Sequence, residues 1–164
     1  MAISRGQLVK ELEPGLNIAI LLYSCFPVTV AAASDALLGS LNGVFFTDAT
    51  TDKPTYANHL NASNTATDIV GFVSDDPYER FEIQADGATA AADVGLNADI
   101  VYAAGSSPDY VSKVELQTSD QKTGTAQLRI IGISKDPENN EAGSANVNCV
   151  VIINEHQLKA TTGI

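Results

Sequence analysis

The chain has 164 residues, with 20 acidic side chains against 9 basic ones and a formal net charge of −11. That length suits one domain with an arm or insertion, and 45% apolar residues beside 18% charged ones exclude wholesale disorder. The acid excess argues against nucleic acid and against an anionic membrane surface as partners, because both recruit clustered Lys and Arg.

Residues 1–17 read as an extended, partly helical N-terminal arm. Leu8, Leu12 and Leu16 recur at i, i+4 and i+8, which places them on one helical face. Ser4 is a candidate N-cap and Pro14-Gly15 a stop signal. The rest, 18–164, reads as one β-rich domain. Its first stretch, 18–33, is apolar and has the outline of a secretory leader. Glu11 and Glu13, however, sit where a basic region belongs, Asn17 borders the run and Pro27 interrupts it, and Met1 still heads the chain. A spanning helix needs about 20 uninterrupted apolar residues, so no membrane segment is expected. With Val28, Thr29 and Val30 in it, the run predicts one or two buried strands broken near Pro27.

Residues 34–67 are rich in Ser, Thr, Asn, Asp and Ala and read as loop with one short strand, anchored by Val44, Phe45, Phe46 and Tyr56. From Asp68 onward the pattern is more regular. Strands are predicted at 69–73, 80–85, 99–103, 110–117, 125–134 and 146–154, separated by clusters such as Asp75-Asp76-Pro77 and Asp86-Gly87. Phe81 and Ile83 alternate with Arg80, Glu82 and Gln84, and Val114 and Leu116 alternate with Lys113, Glu115 and Gln117, as in half-buried antiparallel strands. LRIIGI at 128–133 and VVII at 150–153 are continuously apolar, as central or interface-covered strands are. The fold expected is therefore mainly β, an antiparallel β-barrel or sandwich carrying the arm.

Residues with catalytic potential are sparse and scattered. His59 and His156 are the two histidines, and Cys25 and Cys149 the two cysteines. All four are isolated, whereas structural zinc sites bring ligands in close pairs, so no metal is expected. The cysteines read as buried free thiols rather than a disulfide framework, and Cys25 beside Phe26 should have a raised pKa. Asp75-Asp76 reads as a turn rather than an acid–base pair. Asp86, Asp93, Asn97 and Asp99 concentrate hard oxygen ligands without the spacing of a calcium loop, leaving calcium a minor alternative. Asn61-Ala62-Ser63 is a glycosylation sequon in form only. No phosphate loop, nucleophile elbow or zinc-protease motif is present, so no enzyme, catalytic residue or cofactor is expected.

Several ordered blocks resemble a known group. IVGFVSDDPYERFEIQADGATAAADVGLNADIVYAAGSS at 69–107, TAQLRIIGISKDPENNEAG at 125–143 and VNCVVIINEHQL at 147–158 resemble tailed-bacteriophage head decoration (cement) proteins. There, a Gly-Val/Phe-Val strand leads through an Asp-Asp-Pro turn to a Phe-x-Ile/Val-Gln strand, and a Leu-Arg-Ile-x-Gly strand and a Val-x-Ile-Asn-x-His strand follow. Separately, SRGQLVKELEPGLN at 4–17 is similar to the start of some phage major capsid proteins, a likeness that stops at that segment. The resemblance implies a virion protein on the capsid exterior, a homotrimer or homodimer, whose partner is the phage major capsid protein. A ligand that binds only the assembled shell would stabilise it by mass action, strengthened by repetition over many sites.

On that reading the candidate contacts are Leu8, Leu12 and Leu16 on the arm, and the aromatics Tyr23, Phe26, Phe45 and Phe46, since aromatic side chains dominate interface energetics. For each of the four aromatics, an ordinary core position is the competing reading. The alternative function is a secreted or cell-surface β-domain that binds carbohydrate or protein.

Overall fold

The computed structural model describes residues 28–61, 63–103, 105, 110–137 and 139–159, together with the backbone of 3–4 and 8–11. The chain is mainly β, and its sheets are antiparallel. Among the described residues no ring of strands closes into a barrel, which leaves a sandwich-type arrangement of separate sheets.

The first sheet is built around one long strand. β1 (Ile3–Ser4), β2 (Leu8–Glu11) and β3 (Val28–Val30) precede β4 (Gly39–Asp48), and β5 (Lys53–Ala57), β6 (His59–Leu60) and β7 (Val70–Ser74) follow it. β4 pairs with β7 along one edge, from Ser40↔Ser74 to Phe45↔Val70. Its other edge takes β2 at Gly39 and Ser40, then β5 from Val44 to Asp48. The β4–β5 turn is held by Asp48, whose Oδ1 accepts from the Thr50 and Thr51 amides at 2.9 Å each. Those bonds, the Thr51 amide foremost, hold its carboxyl below the usual carboxylate range. Inward-facing Leu41, Val44 and Phe46, with Val28, Leu38 and Ile69, make the first apolar cluster.

Two expectations are corrected here. Where the N-terminal segment is described, at Ile3–Ser4 and Leu8–Glu11, it is strand rather than helix, and Leu8 faces Ser40 across a ladder. A four-residue strand that finds two partners replaces its backbone hydrogen bonds with water by ladder bonds, which outweighs a weak local helical pattern. The stretch 34–67 is also not mostly loop, since it holds β4, β5 and β6. A register shift between Leu41 and Gly43 puts an extra residue into β4 and breaks the period-two pattern that would have revealed it.

The second sheet has the order β8-β13-β12-β9, formed by β8 (Arg80–Gln84), β9 (Asn97–Ala98), β12 (Leu128–Ile133) and β13 (Asn148–Ile153). β10 (Ile100–Val101) and β11 (Glu115–Leu116) form a two-stranded ribbon beside it. The continuously apolar segments are the two central strands, β12 and β13, as their composition implies. Alternate residues Cys149, Val151 and Ile153 point into the second cluster with Leu128, Ile130 and Leu116. The predicted strand at 110–117 shrinks to Glu115–Leu116.

The linker 31–38 connects β3 to β4 within the first sheet but leans on the second core: Ala31 and Leu37 pack with the second cluster and Leu38 with the first. Gln127, fully buried, fastens this linker. Its Nε2 donates to the Ala32 carbonyl at 2.8 Å and to the Asp35 carbonyl at 2.7 Å, while its Oε1 accepts from the Ile100 amide at 3.0 Å. Its own amide donates to Asp99 Oδ1 at 3.2 Å, and its carbonyl accepts from the Asn154 amide at 2.8 Å. Lys122 Nζ lies 3.1 Å from Asp99 and 2.6 Å from Asp120, and these carboxylates, Asp120 first, raise the lysine's pKa.

Replacing Gln127 by Leu preserves bulk but takes the partner from one amide and two carbonyls. The Ile100 amide is buried and costs about 1–3 kcal/mol when stranded, whereas Ala32 is exposed and Asp35 half-buried, so their carbonyls can turn to water; Gln127→Leu should lose at least ~1 kcal/mol in urea unfolding. A loss below about 0.5 kcal/mol would show that the linker is held by something else.

Candidate functional site

The exposed face of the first sheet carries a cluster of aromatic rings. Cross-strand partners share a face, so Phe45 on β4, its partners Tyr56 on β5 and Val70 on β7, and Phe72 opposite Gly43 all point the same way. Phe45 is 38% exposed, Phe72 42% and Tyr56 64%. The Tyr56 and Phe72 rings lie 5.7 Å apart between centroids and are tilted by 44°. They belong to strands on opposite edges of β4, so the contact has to cross it.

Gly43 makes that crossing possible. A Cβ at this position would stand 2.5 Å from Tyr56 Oη and 2.8 Å from Tyr56 Cζ, so the ring occupies the place of the missing side chain. The bulge beside it sets which residues of 44–46 face out. Both ends of the patch are tied down. Asn42 Nδ2 donates to Ser74 Oγ at 3.1 Å, and Asp68 accepts from the Thr47 amide at 3.0 Å and from Thr47 Oγ1 at 2.6 Å. The Thr47 hydroxyl and then its amide hold the Asp68 carboxyl below the usual range.

Of the candidate contacts, Phe45 is in this patch. Phe46 is 8% exposed and packs in the first core, so it is removed from the contact set. Leu8 lies on β2, and Leu12, Leu16, Tyr23 and Phe26 fall outside the described residues. Tyr56 reads from sequence only as an anchor and Phe72 only as part of a strand. The available signal was period two in VGFVS, which sets Phe72 on the face opposite Gly71 and Val73.

A second concavity, about 530 Å³, lies between the inner face of the second sheet and the segment 111–115. Phe81, Ile83, Val111 and Val114 line it, with Glu82 and Lys113. None of its lining residues is His or Cys.

The acidic residues weighed for calcium are engaged separately. Asp86 Oδ1 accepts from the Thr118 amide and hydroxyl, at 2.8 and 2.6 Å. Asp93 Oδ2 accepts from the Ala90 amide at 2.7 Å. Asn97 Oδ1 accepts from Arg129 Nε at 3.0 Å, and Asp99 serves Gln127 and Lys122. Among the described residues, no three His, Cys, Asp or Glu side chains gather closely enough to hold a metal ion. Asp76 is the turn residue its sequence implies, with Oδ1 accepting from the Tyr78 amide at 2.9 Å.

His59 is on β6 rather than in a loop, and its ring stacks on Tyr110 at 3.7 Å between centroids. His156 follows the last strand and is buried, with its ring bonded locally: Nδ1 accepts from the Leu158 amide at 3.1 Å. Cys149 is a buried free thiol whose pKa burial raises. Cys25 lies outside the described residues. Among the described residues no helix is long and apolar enough to cross a membrane. Compared with protein-family models, curated proteins and solved structures, the chain matches none.

The patch residues should be nearly free of folding duty. Phe45→Ser, Tyr56→Ser and Phe72→Ser are each expected to shift unfolding free energy by under about 1 kcal/mol, whereas Phe46→Ala should cost about 3–5 kcal/mol. Denaturant titration of the four variants checks this. In a Cys25→Ser background, the native protein should leave a thiol-specific reagent unconsumed until denaturant exposes Cys149.

Proposed function

We propose that this chain is a structural protein of a tailed-phage head, binding the capsid exterior and cementing neighbouring shell subunits. The observation that carries the reading is the exposed Phe45–Tyr56–Phe72 face on a firmly paired sheet. Contiguous aromatic surface of this kind marks an interaction site, and rings held by a rigid sheet lose little entropy on docking. The ordered sequence blocks at 69–107, 125–143 and 147–158, which resemble decoration proteins, support the phage major capsid protein as the partner.

The mechanism is linkage. Each fully covered ring contributes about 1.5–3 kcal/mol of apolar burial, and a footprint of about 1,600 Å² suffices for specificity. A homotrimer or homodimer presents several such faces to a lattice at once, so modest single contacts combine into avidity. Because only assembled shells offer the sites in register, binding favours the assembled state. The net charge of −11 keeps unbound copies apart in solution. The arm strand β2 pairs with β4 in the sheet that bears the patch, and β1 pairs with β6 in a separate two-stranded ribbon.

A second reading follows from the same rings, which could stack on sugar faces in a secreted or cell-surface domain. One experiment separates the two. Heads stripped of, or assembled without, the 17.2 kDa chain are mixed with the purified protein and sedimented. Wild type should pellet with heads at saturable stoichiometry and raise the temperature at which packaged DNA is released. The triple variant Phe45→Ser/Tyr56→Ser/Phe72→Ser should bind at least about 100-fold more weakly, the loss expected when two or three buried anchors go. Absence of wild-type binding to heads, or equal binding by the triple variant, would overturn the reading. Retention on immobilised glycans would favour the other one.

A further inference from the structure

The strap that closes the molecule carries a buried imidazole with one donor unmet. His156 follows β13 and is 3% exposed. Around it, the strap 155–157 grips the linker: Leu37 and His156 form a parallel bridge, the Leu37 amide donates to the Glu155 carbonyl at 2.8 Å, and the Gln157 amide donates to the Leu37 carbonyl at 2.9 Å. In the ring, Nδ1 accepts from the Leu158 amide at 3.1 Å. An accepting Nδ1 places the single proton of the neutral ring on Nε2. That atom is buried, with no hydrogen-bond partner among the described residues.

The charged groups that act on the ring come from two elements. Lys159 lies on the same turn, and Asp75 and Asp76 lie on the β7–β8 turn; on the linker, Asp35 Oδ2 accepts from the Ala32 amide at 2.8 Å and no effect of it on the ring is resolved. The β7–β8 turn also meets the strap through Tyr78, over whose ring Lys159 Nζ sits at 4.5 Å. Burial, then Lys159, pushes the His156 pKa below its ordinary value of 6.5, against opposition from Asp75, the Leu38 backbone and Asp76.

We propose that His156 is a pH-sensitive latch, whose protonation releases the 155–159 strap from the Leu37 linker. The added proton must enter at Nδ1, where the lone pair already holds the Leu158 N–H. Accepting it breaks that bond and sets the new Nδ1–H against the Leu158 N–H, leaving a buried cation that the Leu38 backbone, Asp75 and Asp76 compensate only in part. Opening the strap to water relieves both. A ring in the opened strap takes up its proton near pH 6.5, before the buried ring does. The closed form is therefore fully stabilised above that pH and loses stability as pH falls below it. This device is independent of what the aromatic face binds.

The test is residue-resolved amide exchange on the whole protein at pH 7.5 and 5.0, corrected for intrinsic rates, with the ring titration of His156 followed by NMR. In wild type, protection at Leu37, Gln157 and Leu158 should fall about tenfold or more at the lower pH, and the ring should titrate below 6.5. His156→Gln keeps an acceptor for Leu158 and cannot titrate in this range, so its protection should not change, while His59→Asn should behave as wild type. Equal protection at both pH values in wild type, a ring titrating at or above 6.5, or an undiminished pH effect in His156→Gln would each overturn the latch. Should His156→Gln fail to fold, the wild-type titration and exchange decide alone.

Discussion

One buried amide holds the architecture together. Gln127 sits among apolar side chains, and its head group meets three backbone partners from two distant parts of the chain. An unpaired amide there would be costly, so the linker 31–38 has to lie where its carbonyls complete the set. That fixes Leu37 in the second cluster and Leu38 in the first, and so fixes where β4 begins. The polar knot thereby fastens the β3–β4 connection of the first sheet onto the core of the second. It is continued by Asp99, whose carboxylate binds the Gln127 amide on one oxygen and Lys122 on the other.

From that starting point β4 imposes the rest of the first sheet. It has both edges filled, so its side chains divide strictly between core and exterior. The bulge at Leu41–Gly43 moves the division by one place, sending Leu41, Val44 and Phe46 inward and Phe45 outward. Gly43 then leaves room for Tyr56 to lie across the strand and meet Phe72. Surface rings arranged in this way are supported by ladders beneath them and not by mobile loops. This is what a contact surface requires if docking is to cost little order. The strap at 155–159 differs in kind: it is short, 3-10 in its last turn, and one of its hydrogen bonds goes to a titratable ring.

Much of the second sheet was legible from local pattern. Phe81 and Ile83 alternating with charges, the apolar LRIIGI and VVII runs and the Asp76 turn all occupy the places their chemistry implies, because period two and turn propensity act over a few residues. The first sheet was not. Its longest strand contains Gly39, Ser40, Asn42 and Gly43, types that read as loop, and its bulge breaks the alternation. The Leu8–Glu11 strand likewise hid beneath a helical spacing of leucines. Of the candidate contacts, Phe45 is on the exposed face, whereas its neighbour Phe46 is in the core, a distinction that composition cannot make. Tyr56 and Phe72 were visible as aromatic residues but not as a pair.

By itself the sequence determined the β-rich class, the main strands from residue 69 onward though not β9, several of the turns between them and the lack of any paired-ligand motif. These depend on neighbours a few positions apart. Tertiary structure alone decided which face of each strand is covered, that Gln127 would find carbonyls up to 95 residues away, and that His156 would be closed off with an unmet donor. The reason is physical. Alternation announces that a strand has two faces, but which one is removed from water depends on what arrives from elsewhere in the chain.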